Sequence, residues 1–525
     1  MPKVLISDVL SEQAVEIFQG RGIEVEVATG LSPEQLCERI KGCDGLAIRS
    51  ATKVTAEVLE AADSLKVVGR AGIGVDNVDV PLATQKGVVV MNTPAGNSIT
   101  TAEHAIAMLM ALAREIPAAD RSTQAGKWEK SRFMGVEITG KTLGVIGCGN
   151  IGSIVAERAQ GLQMQVIAYD PFLSPDRAID LGVEKVELDA LLARSDFITL
   201  HVPKTEQTAG MIGKAALAKT KPGVRLINCA RGGLVVEADL KAALDSGQVA
   251  GAAMDVYDSE PAKENVLFGR DDVICTPHVG AATTEAQEKV AVQIAEQMSN
   301  YLLTGAIANA LNMPSLTAED AKRLKPYMTL AEQLGSFAGQ LTETGITEVR
   351  IEYEGHVAEL NCRPLTQAML HGLLKPMLDS VNMVNAPVLA RERDIDVSEV
   401  KHDRDSDYQT LIRLTVKTER QERSVAGTLF GGDKPRIVEI KGIKVEAALG
   451  PHMLYITNRD KPGLIGGLGS IIGDAGMNIA TFHLGRADVG GDAIALLELD
   501  SAVPPEVLEK LQALPQILQA KPLRF

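Results

Sequence analysis

Three short segments carry polar residues that a hydrophobic core does not need: Arg231 in INCARGG, Glu260 in DVYDSEP and His278 in CTPHVGAAT. An imidazole can take the proton of an alcohol and give it back. A carboxylate beside it orients the ring and raises its pKa from an ordinary value of ~6.5, and a guanidinium offers a planar fork to carboxylate and carbonyl oxygens. Together the three make a complete set for hydride transfer at a 2-hydroxy acid. Singly, each has a plainer structural reading: a hydrogen-bonded histidine, a surface ion pair, a loop-ending glutamate. Only their company argues for chemistry. His104, His201, His356, His371, His402, His452 and His483 lack such company in the sequence.

Hydride transfer needs an acceptor, and KTLGVIGCGNIG points to one. Gly147, Gly149 and Gly152 form G-x-G-x-x-G between an apolar strand and a helix with apolar Ile151, Val155, Ala159 and Leu162. The first glycine permits the tight turn, the second lets backbone N–H groups approach a pyrophosphate, and the third lets helix pack on strand. Asp170 ends the next strand, QVIAYD, where a carboxylate can accept hydrogen bonds from an adenine ribose and repel a 2′-phosphate. NAD is therefore expected rather than NADP. His201 in TLHVP is expected near the nicotinamide half of the site.

The elements that must position these groups can be read from periodicity. KVLISD, IEVEVAT, GLAIRS, LKVVGR and VVVMN alternate with amphipathic segments between residue 3 and about 94, predicting a parallel sheet covered on both faces. One helix start is marked by Ser32-Pro33-Glu34-Gln35, where Ser32 can cap and Gln35 can reach back. A long helix is expected from Ile99 to about Ala125. TLGVIG, MQVIAYD, FITLHVP, VRLINCA, AGAAMDV and VICTPHV then predict a second parallel sheet, with Arg231, Glu260 and His278 at the strand ends, where ligands bind in such sheets. The helical segment after Thr283 is expected to return to the first block. Asn309 to Pro326 reads as a linker. VRIEYEG, QTLIRLTV and RIVEIKGIKV read as strands of a separate α+β domain, and residues 452–525 follow a βαββαβ order.

Composition sets the limits. The 525 residues suggest three or four domains at roughly 150 residues each. A net charge of −15 argues against a nucleic-acid partner, and the longest apolar-rich run, Ala105 to Ala113, falls far short of the ~20 residues of a membrane span. MPKVLISDVL reads as a buried strand rather than a secretory signal, so a cytoplasmic location is expected, or a plastid one if the source has one and a transit peptide was removed. The six cysteines show no C-x-x-C and no histidine at ligand spacing, so reduced thiols and no metal are expected.

GCGNIG, LHVP, NCARGG, DVYDSEP and TPHVGAAT together resemble the D-isomer-specific 2-hydroxyacid dehydrogenases over residues 1 to about 312. GRAGIGVDNVD (69–79), NTPAGNS (92–98), KWEKSRFMG (127–135) and two added carboxyl-terminal domains extend the likeness to the long members of that family. The resemblance implies an α/β chain of two doubly wound parallel-sheet domains, one flavodoxin-like (1–98, completed by 284–312) and one Rossmann (99–283). An α+β domain of allosteric or substrate-binding kind (313–450) and a ferredoxin-like ACT domain (452–525) follow. It makes Arg231, Glu260 and His278 the catalytic triad. It also adds Asn150, Ile151, Cys229, Ala230, Arg231, Asp255, His278, Val279, Gly280 and Ala281 to the NAD contacts.

The implied reaction is oxidation of 3-phosphoglycerate to 3-phosphohydroxypyruvate, the entry to L-serine synthesis. Such a substrate needs several cations: Arg231 for the carboxylate, and Arg49, Arg70, Lys130 and Arg132 for the phosphate, the last two being equally readable as a solvated loop. Trp128 is expected at a dimer contact of a homodimer or homotetramer, and Asn458, Asp460 and Asn478 at an amino-acid effector site, with L-serine the first ligand to consider. A chain ending near Gly450 is expected to keep the oxidation and lose the effector response. Two other readings stay open: another D-2-hydroxyacid dehydrogenase acting on D-lactate, glyoxylate or hydroxypyruvate, and an NAD-sensing interaction protein without turnover. Formate dehydrogenases share the core but are expected to carry Gln at the place of Glu260.

Overall fold

The computed structural model describes residues 1–94, 96–378, 380–402 and 407–525, so that Ala95 of NTPAGNS lies outside the described residues. β1 (Lys3–Ile6), β2 (Glu24–Val27), β3 (Gly45–Ile48), β4 (Val67–Arg70) and β5 (Val89–Asn92) pair in parallel in the order β2-β1-β3-β4-β5. That is the flavodoxin-like order. β1, β3, β4 and β5 are apolar because both faces are covered, with the helix Thr284–Thr304 supplying part of the cover through Val290, Ile294 and Met298, whereas the edge strand β2, EVEV, is partly exposed. Ser32 forms the expected capping box with Gln35 at the start of the helix Pro33–Arg39.

The second sheet holds β6 (Thr142–Ile146), β7 (Gln165–Tyr169), β8 (Glu184–Lys185), β9 (Phe197–Leu200), β10 (Val224–Asn228), β11 (Val249–Met254) and β12 (Val273–Cys275). Its order is β12-β11-β10-β9-β6-β7-β8, the doubly wound Rossmann arrangement. Strand order reverses between β6 and β9, which opens a crevice at their carboxyl ends.

The helix expected from Ile99 to Ala125 is two helices, Ser98–Ala113 and Ile116–Gln124. Pro117 explains the break: it has no N–H to give to the Ala113 carbonyl and its ring would clash there. Glu115 turns left-handed at φ 54°, and the Ala113 carbonyl accepts from Val136 N at 2.8 Å instead.

The linker expected from Asn309 to Pro326 is shorter than its prolines suggest. Single bridges join Met91 to Ala310 and Ile307 to Leu316, and Thr317 caps a helix, Ala318–Gln340, that continues through Pro326. One lost backbone bond is outweighed by the buried face of Leu324, Leu330, Leu334 and Phe337.

A six-stranded mixed sheet follows, built from β13 (Ile346–Gly355), β14 (Asp396–His402), β15 (Thr410–Thr418), β16 (Glu422–Phe430), β17 (Lys434–Ile440) and β18 (Ile443–Ala447) in the order β14-β13-β15-β16-β17-β18. RIVEIKGIKV, expected as one strand, is the β17–β18 hairpin, because Lys441 and Gly442 take φ of 51° and 76°, the two positive values of a tight hairpin turn.

The last sheet, β19 (Met453–Arg459), β20 (Ile479–Arg486), β21 (Asp492–Leu499) and β22 (Ile517–Leu523), is antiparallel in the order β20-β21-β19-β22, the ferredoxin-like arrangement. One face packs on its own helices through Leu454, Ile456, Leu468 and Leu511. The other is not free. Met453, Tyr455, Ile494, Leu496 and Leu523 share a core with Phe337, Ile443 and Val445 of the preceding domain, and the Phe337 and Tyr455 rings meet edge-on at 5.6 Å. A chain ending near Gly450 would lose Met453, Tyr455, Ile494, Leu496 and Leu523 from that core and expose Phe337, Ile443 and Val445. Among the described residues no helix is long and apolar enough to cross a membrane.

Candidate active site

The carboxyl ends of the first two sheets face each other across a cleft of about 910 Å³. Arg49 follows β3, Arg70 ends β4, and Arg231, Glu260 and His278 follow β10, β11 and β12; all five line the cleft. The sequence separates these residues by more than two hundred positions, and the two sheets bring them to one place.

His278 is held from behind. Its Nδ1 lies 2.7 Å from Glu260 Oε2, and a carboxylate only accepts, so Nδ1 carries the proton and Nε2 is the nitrogen left for the reaction. The Glu260 hydrogen bond raises the imidazole pKa above its ordinary value against the opposing effect of burial. Burial pushes the Glu260 carboxyl up, but His278 and the Tyr257 N–H, which donates to Oε1 at 3.0 Å, outweigh it and hold the group below its usual range. The pair is thus an ionised carboxylate gripping an imidazole that is easier to protonate than usual.

Arg231 is also fixed. Nε donates to Asp76 Oδ2 at 3.0 Å and one terminal nitrogen to the Ala230 carbonyl at 2.7 Å. Gly74 makes room for this fork, since a β-carbon there would lie 1.9 Å from Arg231 Nη2. Beside it, burial first and the charge of Arg231 second push Arg70 down to about 10, and its buried Nε has no hydrogen-bond partner. Arg49 is anchored by its backbone: its N–H donates to Asp8 Oδ2 at 2.6 Å and its carbonyl accepts from Asn77 Nδ2 at 2.7 Å.

Lys130 and Arg132, expected at the substrate phosphate, do not line this cleft within the single chain. Ser122 Oγ donates to Glu129 Oε2 at 2.6 Å and folds the segment back onto the helix Ile116–Gln124; Arg132 then pairs with Glu129 at 3.0 Å and Asp271 at 2.5 Å. With Arg121, Phe133 and Arg225 it borders a separate cavity of about 230 Å³. Trp128 is 88% exposed, so one chain alone does not bury it.

The glycine loop has the form a dinucleotide requires. Gly147 sits at φ 88°, and a β-carbon there would lie 2.6 Å from the His201 carbonyl; one at Gly152 would lie 1.9 Å from the Gly147 carbonyl. At Gly149 the space is open, so the backbone can be approached. The helix Asn150–Gly161 starts there without a side-chain cap, leaving its first N–H groups for an anion. Asp170 is pinned beside the loop, accepting from Cys148 N at 2.9 Å and Phe172 N at 2.8 Å.

Asn150, Ile151, Cys229, Ala230, Asp255, Gly280 and Ala281 all border the cleft, while Asp170 and Val279 sit just outside its lining. Burial pushes the Cys229 thiol up and lowers His201 to about 4, so both stay neutral. His201 reaches Thr199 Oγ1 at 2.9 Å through Nε2. Replacing Asp170 by Ala should weaken NAD binding and narrow its advantage over NADP, because ribose hydrogen bonds and charge repulsion go together. An unchanged NAD/NADP ratio of kcat/KM would remove Asp170 from the ribose site.

Two residues near the site carry no signal in the linear sequence. Asp76 is an exposed loop aspartate, and His104 lies in an ordinary helix until the fold sets its Nε2 3.4 Å from Asp255 Oδ1. In the last domain the three expected effector residues are not hydrogen-bonded to one another. Asn458 is buried with Nδ2 on the Arg459 carbonyl, Asp460 accepts from Arg486 and Gly490 N, and Asn478 Nδ2 donates to Asp500.

Comparison with known proteins agrees with this architecture. Residues 106–280 match the NAD binding domain of the D-isomer specific 2-hydroxyacid dehydrogenases, 323–441 the D-3-phosphoglycerate dehydrogenase intervening domain, and 452–516 the ACT domain. The chain is 44% identical over 522 residues to D-3-phosphoglycerate dehydrogenase of Archaeoglobus fulgidus, covering 99% of each. It is 41% identical to that of Bacillus subtilis, again over 99% of each. Among solved structures, D-lactate dehydrogenase from Aquifex aeolicus, complexed with NAD and lactic acid, aligns with a TM-score of 0.53 at 28% identity, covering 59% of this chain and 100% of that one. With identity at this level along its whole length and all three domain types in order, the chain belongs to the D-3-phosphoglycerate dehydrogenases.

Proposed function

We propose that the chain oxidises 3-phosphoglycerate to 3-phosphohydroxypyruvate with NAD, the first step of the phosphorylated route to L-serine, and that Arg231, Glu260 and His278 are its catalytic residues. The observation that carries the reading is the 2.7 Å Glu260–His278 pair facing a cleft that also holds Arg49, Arg70 and Arg231. Gly147 to Gly152 would hold NAD and Asp170 its ribose, and the bound nicotinamide would supply the hydride acceptor.

The free side of the Arg231 fork takes the substrate carboxylate and the adjoining oxygen. Arg70, with its donor unspent, and Arg49 take the phosphate. His278 Nε2 accepts the hydroxyl proton as the carbinol carbon is oxidised, and Glu260 holds the resulting imidazolium; the reverse reaction returns the same proton. Cys229, Ala230, Asp255 and the segment His278 to Ala281 would border the nicotinamide end.

The regulatory and assembly readings extend the same proposal. The domain limits are 1–98 with 284–312, 99–283, 313–450 and 452–525. L-serine is the effector of the ACT domain, through Asn458, Asp460 and Asn478, and the chain works as a homodimer or homotetramer in the cytoplasm or a plastid. Following NADH formation from 3-phosphoglycerate beside D-glycerate and D-lactate tests the function. The phosphate contacts are charge-assisted, so kcat/KM should favour 3-phosphoglycerate over D-glycerate by at least roughly tenfold. Equal values for the two would contradict the substrate, and no turnover of any of the three would favour a sensing role.

A further inference from the structure

We propose that His104 is a positioning residue of the active site, acting through Asp255 on the turn that carries His278. The inference rests on the catalytic reading above for its meaning, but its geometry stands independently. His104 projects from the helix Ser98–Ala113, is mostly covered, and does not line the cleft, so it touches no reacting group.

Asp255 follows β11 and is fully buried. Its Oδ1 accepts from Thr276 Oγ1 at 2.6 Å and Val279 N at 2.8 Å, and its Oδ2 from Gly280 N at 2.8 Å. These contacts bracket His278 on both sides. They are needed because His278 itself is left-handed at φ 54°, a conformation that a residue with a β-carbon holds only when its surroundings impose it. Asp255 is therefore the anchor of the reacting histidine.

An ionised carboxylate taken out of water must be matched by donors. Burial pushes the Asp255 carboxyl up, and His104, Thr276 and Val279 together outweigh it and hold the group below its usual range. The His104 contribution comes from the opposite wall: Nε2 lies 3.4 Å from Asp255 Oδ1 and 3.5 Å from Thr276 Oγ1. Because the carboxylate only accepts, Nε2 is the protonated nitrogen. Removing the His104 donor leaves Asp255 under-matched and loosens the turn.

The test compares His104→Leu, His104→Asn and His104→Gln. Gln places an N–H donor at about the reach of Nε2, whereas Asn falls short. With Leu and Asn, kcat for 3-phosphoglycerate should fall roughly tenfold while KM stays within about twofold. Deuterium uptake by the peptide spanning 276–282 of the cofactor-free protein should rise. With Gln, both should return to within about threefold of wild type. Unchanged uptake in both Leu and Asn variants, a loss confined to KM, or a Gln variant as impaired as Asn would overturn the proposal. If Leu does not fold, the Asn and Gln pair decides alone. Because exchange is read without substrate, failure of the wild type to oxidise 3-phosphoglycerate would sink the functional reading and leave the exchange data to judge His104.

Discussion

Replacing His278 by Ala should lower kcat for 3-phosphoglycerate oxidation by at least ~10²-fold, the typical contribution of a positioned general base, with the NADH dissociation constant within about threefold of wild type. The structure gives the reason for this split. His278 lies beyond β12, while the glycine loop and Asp170, proposed to hold the dinucleotide, lie on the other side of the second sheet's switch point. Glu260 would then be left with only the Tyr257 N–H. Fluorescence titration with NADH and steady-state kinetics on the same preparation separate the two effects. Wild-type turnover in the variant would mean that another group moves the proton.

The second large effect is expected at Arg231. Its fork is already committed on two sides, to Asp76 and to the Ala230 carbonyl, so the remaining terminal nitrogen is aimed rather than free to wander. Arg231→Ala removes a charge-assisted contact to the carboxylate and leaves Asp76 facing the cleft without its cation. A loss of roughly 30- to 150-fold in kcat/KM is expected, since breaking such a contact costs about 2–3 kcal/mol. Arg231→Lys should recover little, because a point charge does not reproduce a planar fork. Full activity in the Lys variant would show that charge alone is read at this position.

Much of this was readable before the fold was known, for physical reasons that differ from place to place. The glycine loop and Asp170 are local: turn, helix start and acid lie within one βαβ unit, so their spacing carries the geometry. Arg231, Glu260 and His278 were readable as a set because each follows a strongly apolar strand, and parallel strands end on the same side. The ferredoxin-like tail was readable because its elements are consecutive and antiparallel.

The failures are equally particular. Pro117 inside an otherwise helical run broke the helix, whereas Pro326 did not break its own, because beyond Pro117 only Ala118 and Ser122 are buried while beyond Pro326 Leu330, Leu334 and Phe337 continue the buried face. Periodicity cannot tell these cases apart without knowing what packs there. The ion pairs of Arg132 with Glu129 and Asp271 were not legible in its motif either. Asp76 and His104 gain their meaning only from contacts across 155 and 151 positions, which no local pattern reports. The shared core of Phe337 and Tyr455 likewise joins segments that composition reads as separate domains.

The central claim is that Glu260 and His278 act as one acid–base unit, and the pH dependence of kcat/KM in wild type beside Glu260→Gln tests it most directly. Oxidation needs a neutral imidazole, so activity rises as pH passes upward through the His278 pKa. Glu260 raises that pKa. Gln can keep a hydrogen bond but not the charge, so the rising limb should move to lower pH in the variant, and the falling limb of the reductive reaction, which needs the protonated ring, should move the same way. Limbs that stay where the wild type has them, in both directions, would contradict the pairing.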